Sequence, residues 1–172
     1  MVQIGRFTAK HDGPLVVFLI GMRVNNWLRW REWLPVASAM GPMLSYLHQH
    51  PETGFLGANG PFFSPNFREI VTVQYWRSAE DLERFARQDP HLHPEAWRRF
   101  FRQSFKGGAV GIWHETYRAE AGAFESVYDN MPPYGLARAT KAVPVRGKLE
   151  SMRGRLSGSL GDSPRESAGP GP

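Results

Sequence analysis

The chain has 172 residues, enough for one domain with a sizeable core and too few for two large ones. Its content of 41% hydrophobic and 22% charged residues is that of an ordinary soluble globular protein, and the 13% aromatic fraction is rich enough to line an apolar pocket, fill a core or cover a subunit interface. Cysteine is absent, which excludes disulfides, thiol nucleophiles and cysteine-ligated metal centres and suits a reducing cytoplasm, the expected location.

The net charge of +5 is concentrated toward the end of the chain. From Lys141 onward six Lys/Arg stand against three acids, so that stretch alone holds +3. It contains no aromatic residue to stack on bases, and no nucleic-acid partner is expected. The longest apolar run, Leu15–Met22, is eight residues, far short of the roughly 20 that a membrane helix requires. Arg23 follows it rather than a cleavage site, so neither a signal peptide nor a membrane partner is expected.

In chain order, residues 1–13 are polar and close on the turn signal Asp12–Gly13. Pro14 opens LVVFLIGMRVN, a run that reads as a central strand buried on both faces. Trp30–His50 carries Trp33, Val36, Ala37, Met40, Met43, Leu44 and Leu47 at helical spacing, with Gly41–Pro42 predicting a kink or a split. His48 and His50 fall where a helix end presents free carbonyls. FLGANGPFF over Phe55–Phe63 reads as an edge strand forming a hairpin with the strand that ends at Trp76. In that second strand Ile70, Thr72, Gln74 and Trp76 alternate with Val71, Val73 and Tyr75. Ser78 is a good N-cap with Asp81 three positions later, predicting a helix over Glu80–Arg87.

Pro94 starts a further predicted helix, Glu95–Phe105, which Gly107–Gly108 ends. In the strand Val110–Arg118, Val110, Ile112, His114 and Thr116 share one face, and Trp113, Glu115 and Tyr117 the other. A short extended piece, AFESVYDNM, follows. The folded domain is therefore expected over 1–140, with 141–172 a disordered basic tail rich in Gly, Pro and Ser. This order predicts an α+β, ferredoxin-like antiparallel sheet with helices on one face. A sheet face carrying Trp76, Trp113 and Tyr117 would need a second subunit to cover it, so a homodimer is expected.

Five stretches carry a family resemblance: GMRVN at 21–25, VQYWRSAEDLERFAR at 73–87, HPEAWRRF at 93–100, GIWHETY at 111–117 and YDNMPPYGLARAT at 128–140. Together they resemble a monooxygenase-like family of the dimeric α+β barrel superfamily, described after a fungal member from fumagillin biosynthesis. The resemblance implies two ferredoxin-like subunits packed sheet to sheet, each with a pocket between sheet and helices. The superfamily includes cofactor-free monooxygenases of polyketide pathways and haem proteins such as peroxidases and aldoxime dehydratases, and fold alone does not choose among them.

Within that frame His114 is a candidate general base or haem ligand, or a hydrogen-bonded sheet histidine. His93 aligns with the resembled segment, four residues before Trp97, and is the other candidate base or haem ligand, or a capping residue. Tyr75 is a third candidate catalytic residue, and Trp76, Trp97, Trp113, Tyr117 and Asn25 are candidate pocket residues. Arg23 and Arg77 are candidates to hold a carboxylate or a haem propionate, or to bridge to Glu80 or Asp81 on the surface. No HExxH, GxGxxG, P-loop or GxSxG motif occurs.

The reading that follows is a secondary-metabolism, monooxygenase-like oxidoreductase acting on an apolar small molecule in an aromatic pocket, with haem b or with no cofactor. The alternatives are a non-catalytic dimeric carrier of apolar ligands and a haem-dependent, dehydratase-like lyase.

Overall fold

The structure is a computed structural model that describes residues 1–88 and 106–158. Its main sheet has four antiparallel strands: β2 (Leu15–Val24), β3 (Phe55–Phe63), β4 (Glu69–Trp76) and β5 (Val110–Ala119), in the order β3-β4-β2-β5. Helix α1 (Trp30–Gln49) joins β2 to β3, and α2 (Ala79–Gln88) follows β4. This is the ferredoxin-like arrangement, with the apolar run of β2 at the centre as its composition demands. Cross-strand partners share a face, so Val16, Phe18, Ile20, Met22 and Val24 look the same way as Trp76, Gln74, Thr72 and Ile70.

That face is the helix side. Val16, Phe55 and Trp76 pack there with Leu47 of α1 and Leu82 and Phe85 of α2; Met22, Val24 and Val110 pack with Val36 of α1. Gly41–Pro42 does not split α1, so of the predicted kink or split the split is not found. The proline lacks the N–H that would bond the Ser38 carbonyl, but Ser38, Gly41 and Pro42 all lie on the wet side of the helix, where water satisfies that carbonyl. The same exposure accommodates Pro35, which frees the carbonyl of exposed Arg31. Histidine nitrogens serve the last turn: Nδ1 of His48 lies 2.7 Å from the Leu44 carbonyl and that of His50 2.9 Å from the Tyr46 carbonyl.

A second, three-stranded sheet contains β1 (Arg6–Lys10), flanked by β6 (Tyr128–Asp129) and β7 (Lys141–Pro144), in the order β6-β1-β7. Two expectations fail here. The polar opening of the chain holds a strand, and 141–158 is not a disordered tail. Ala142 and Val143 pair with Ala9 and Thr8, and beyond them the Arg155 side chain is buried. Its Nε donates to Glu125 at 2.6 Å and its Nη1 to the carbonyls of Leu149 and Glu150 at 2.9 and 3.1 Å. Partnered pairing and a buried arginine supply the ordering free energy that composition did not suggest. The remainder of the expected tail, 159–172, and the expected helix 95–105 lie outside the described residues.

The turn from β4 into α2 is held by a carboxylate clamp. Ser78 Oγ accepts the Asp81 amide at 3.1 Å, the N-cap expected from sequence. The buried Asp81 carboxylate accepts from Arg77 Nε at 2.7 Å and from Arg84 Nη1 at 2.9 Å, and the hydrogen bond from Arg77 holds its carboxyl below the usual range. A folded pKa below the unfolded one gives stability that is complete above the ordinary carboxylate pKa, about 4, and is lost as pH falls through the folded value. Asp81→Asn is therefore expected to destabilise the protein by roughly 1–3 kcal/mol at neutral pH. In urea unfolding followed across pH, the gap to the parent chain should narrow below about pH 4.

Candidate functional site

The helix side of the main sheet carries two apolar clusters with a polar band between them. One cluster is built on Val16, Leu47, Phe55 and Trp76; the other on Met22, Val24, Val36 and Val110. Strand registers place two cross-strand rows between these ends: Thr116, Phe18 and Gln74 in one, and His114, Ile20 and Thr72 in the other. Four of these six residues are polar, and Arg118, paired with Val16, adds a charged residue to the same face at the β5 edge. Alternation along β2, β4 and β5 produces this, because each strand puts its even-numbered residues on this face.

Two of the polar groups are buried with local partners. Gln74, 2% exposed, takes the Trp76 indole N–H on Oε1 at 3.0 Å, while its Nε2 points at the Met40 sulfur of α1, 3.8 Å away. A thioether is a weak acceptor, so the amide keeps donor capacity on the helix side of the sheet. Thr72, 3% exposed, has its hydroxyl 3.4 Å from the Ile20 carbonyl. His114 is exposed, and its ring centroid lies 5.6 Å from that of Phe18. A neutral imidazole in this setting has a nitrogen able to take a proton.

The opposite, outer face carries Val17, Leu19, Gly21, Val71, Val73, Tyr75, Trp113, Glu115 and Tyr117. Trp113 lies across Gly21: a Cβ at that glycine would sit 2.7 Å from the indole, so the pair exists only because residue 21 has no side chain. Tyr117 donates to Glu115 at 2.6 Å, and this bond to a carboxylate raises the phenol's pKa. At the β3 edge the outer face meets the short helix Gly135–Ala139. There Asn59 Oδ1 accepts the Gly135 amide at 3.2 Å, and Tyr75 and Tyr128 close around the glycine, whose φ is +56°. Burial first, then the neighbouring Tyr128, pushes the Tyr75 hydroxyl up.

The candidate residues thus do not form one site. His114 and Trp76 share the helix side, whereas Tyr75, Trp113 and Tyr117 are on the outer face. The expectation that Trp76, Trp113 and Tyr117 share an exposed face is corrected: Trp76 is fully buried on the other side. Arg23 and Asn25 sit at one end of β2 and Arg77 follows the far end of β4, separated by a ladder of seven residue steps, roughly 24 Å. Arg77 is paired with Asp81, a bridge expected from the sequence although Asp81 is buried rather than on the surface, and Arg23 is paired with Glu69, a partner the sequence did not suggest. Asn25 Nδ2 donates to the Gly108 carbonyl at 3.1 Å. His93 and Trp97 lie outside the described residues. Among the described residues, Arg23 and Arg77 are each paired with a carboxylate, at opposite ends of the sheet, so neither is held free beside His114 to meet a haem propionate.

Thr72 and Gln74 were not singled out as site residues in the sequence, although a glutamine in the apolar phase of an alternating strand was the available signal. Phe18 and Met40 were indistinguishable there from core residues.

The fold is that of a ferredoxin-like, dimeric α+β barrel protein with a polar band under its helices. More narrowly, the chain belongs to the family described as Monooxygenase af470-like, whose model matches residues 15–136. Monooxygenase af470 of Aspergillus fumigatus is 30% identical over 141 residues, 78% of this chain and 49% of that protein. The chain thus spans about half the length of this curated relative. Among solved structures, an aldoxime dehydratase (OxdRE) in complex with butyraldoxime is similar with a TM-score of 0.63 at 18% identity, over 78% of this chain and 40% of that one. SnoaB, a cofactor-independent oxygenase from Streptomyces nogalater, is similar with a TM-score of 0.42 at 17% identity, over 62% of this chain and 93% of that one. At 18% identity the likeness to the aldoxime dehydratase bears on the fold alone.

Gln74→Leu should leave the buried Trp76 indole N–H without an acceptor and lower stability by roughly 1–3 kcal/mol. Urea unfolding checks this, with a change in Trp fluorescence reporting the altered indole environment.

Proposed function

We propose that the protein is a monooxygenase-like oxidoreductase of secondary metabolism that binds an apolar small molecule against the polar band of the helix side and uses His114 as general base. The observation that carries this reading is the placement of His114 beside Phe18, between two apolar clusters and in line with Thr72. Membership of a monooxygenase-like family supports the reaction class.

The reaction suited to this arrangement needs no bound cofactor. His114 takes a proton from a substrate methylene made acidic by a neighbouring carbonyl and aryl groups. The carbanion passes its electrons to dioxygen, forming a C–O bond, and the imidazolium returns its proton to give a hydroperoxide. Loss of water then leaves a ketone. One dioxygen is consumed, one oxygen atom stays in the product and the other leaves as water. Phe18 and Ile20 supply apolar contact, and the Gln74 amide is oriented by Trp76 to donate to a substrate oxygen.

Dithranol, an anthrone with such a methylene, is a suitable probe. Oxygen uptake by the parent chain should fall about a hundredfold or more in His114→Ala. Unchanged uptake in the variant overturns the assignment of His114, and binding without turnover selects the carrier reading. A Soret band in the purified protein that disappears in His114→Ala overturns the cofactor-free reading in favour of haem-assisted oxygenation or dehydratase-like chemistry.

The homodimer belongs to the same proposal. Val17, Leu19, Val71, Val73 and Trp113 form an apolar outer face that is only half-buried within one chain, and a second copy stacked sheet to sheet covers it. Val73→Asp should then halve the mass in solution measured by light scattering; an unchanged mass removes this face from the interface.

A further inference from the structure

Three loops meet at the end of the main sheet that holds Arg23. The β3–β4 hairpin is tied to β2 by the Val24 amide on the Arg68 carbonyl at 2.8 Å and by Arg68 Nη1 on the carbonyls of Val24 and Asn25 at 2.9 and 3.2 Å. The approach to β5 is tied to the β2–α1 junction by the amides of Asn25 and Asn26 on the Ala109 carbonyl, and by Arg29 Nη1 on the Gly107 carbonyl at 2.8 Å. Asn26 Oδ1 also accepts the Leu28 amide at 3.0 Å, opening the 3-10 turn Trp27–Arg29. The backbone here is well satisfied.

The side chains it presents are the opposite of what a solvated end needs. Leu28 is 90% exposed, Phe67 64%, Phe63 53%, Trp30 51% and Trp27 41%. Phe67 adopts φ +56° at the hairpin tip, a conformation that favours Asn or Gly, and its ring lies 6.2 Å from Phe63. An aromatic residue there bears conformational strain without gaining burial within its own chain. Around these apolar tips stand Arg23, Arg29, Arg31, Arg68 and Lys106 against Glu32 and Glu69. Glu69 is paired with Arg23, Glu32 with Arg29 at 2.5 Å, and Arg31 lies 5.3 Å from the Trp30 ring centroid.

Tryptophan and phenylalanine tips within a surplus of arginine and lysine match the chemistry of a lipid–water interface: rings enter at headgroup depth while cations meet anionic phosphates. We propose that this end docks the protein peripherally on an anionic lipid surface. No described helix is long and apolar enough to cross a membrane, so the contact is made by the loop tips. This inference is independent of the oxygenase reading, because none of its residues lies in the polar band.

The test is co-sedimentation of the full chain with vesicles of phosphatidylcholine alone and of phosphatidylcholine with phosphatidylserine. Binding is expected to the second and to weaken as salt is raised, because the cationic contribution is screened. Leu28→Asp and the Phe63→Ser/Phe67→Asn double variant should each lower the bound fraction about tenfold with an unchanged melting temperature. Phe67→Asn is chosen because asparagine suits the backbone conformation. No sedimentation with either vesicle, or binding that both variants leave intact, overturns the proposal. So does a change in solution mass in these variants without a change in vesicle binding, which would make the end a surface for a second copy.

Discussion

Packing around the Trp76 indole joins the sheet to its helices. The side chain is fully buried, edge-on to Phe55 of β3 at 5.4 Å between centroids, 5.4 Å from Phe85 of α2, and in one cluster with Val16 of β2 and Leu47 of α1. Removing a tryptophan surface of about 200 Å² from water contributes roughly 5 kcal/mol as an upper figure. That exceeds the share of the Asp81 clamp one turn later, whose arginines stand half in solvent. Packing therefore holds α2 to the sheet, and the clamp sets the angle at which the helix leaves it. The clamp in turn needs Gly54: at φ +85°, a Cβ there would collide with the Asp81 carboxylate, so the approach to β3 and the start of α2 fit only around a glycine.

The same indole makes a polar band tolerable in the core. A glutamine in the middle of a sheet face would be costly if its oxygen were unpaired, and the Trp76 N–H removes that cost while aiming the amide toward α1. The chain thus interrupts its own core at Thr72 and Gln74, and the two rows continue to exposed His114 and Thr116 on β5, with apolar packing on both sides of the buried pair keeping the rows in register. A surface site would lack this support, because flexible side chains lose more entropy when they are ordered around a ligand.

Much of this was legible in the sequence where periodicity was strong. The alternations in β4 and β5 assigned every residue to its correct face, the Ser78 cap started α2 within a residue of its observed position, and the composition of β2 put it at the centre of the sheet. What failed did so for physical reasons. A pattern tells which residues of one strand share a face, but only the pairing register tells which face of the next strand joins them; Trp76 and Trp113 were therefore grouped wrongly. The Asp81 partner of Arg77 was visible from its spacing of four, whereas the Glu69 partner of Arg23 was not, because only the β2–β4 ladder brings the two together. The segment after Lys141 read as disordered because its order depends on β1, Glu125 and a buried arginine remote in sequence. A split of α1 at Gly41–Pro42 stayed open beside a kink because the sequence does not show which side of the helix is wet.

The small sheet has a consequence for how the chain assembles. Phe7 lies opposite Pro144 and Lys10 opposite Lys141, so residues of β1 pair with residues made more than a hundred positions later. During synthesis the ferredoxin-like unit can close while β1 has only the two-residue β6 to await and no β7 at all. The final strand then acts as a clasp that shuts on a body already formed. A fusion or cleavage that displaces 141–144 would leave the helices and the main sheet standing and release the opening of the chain.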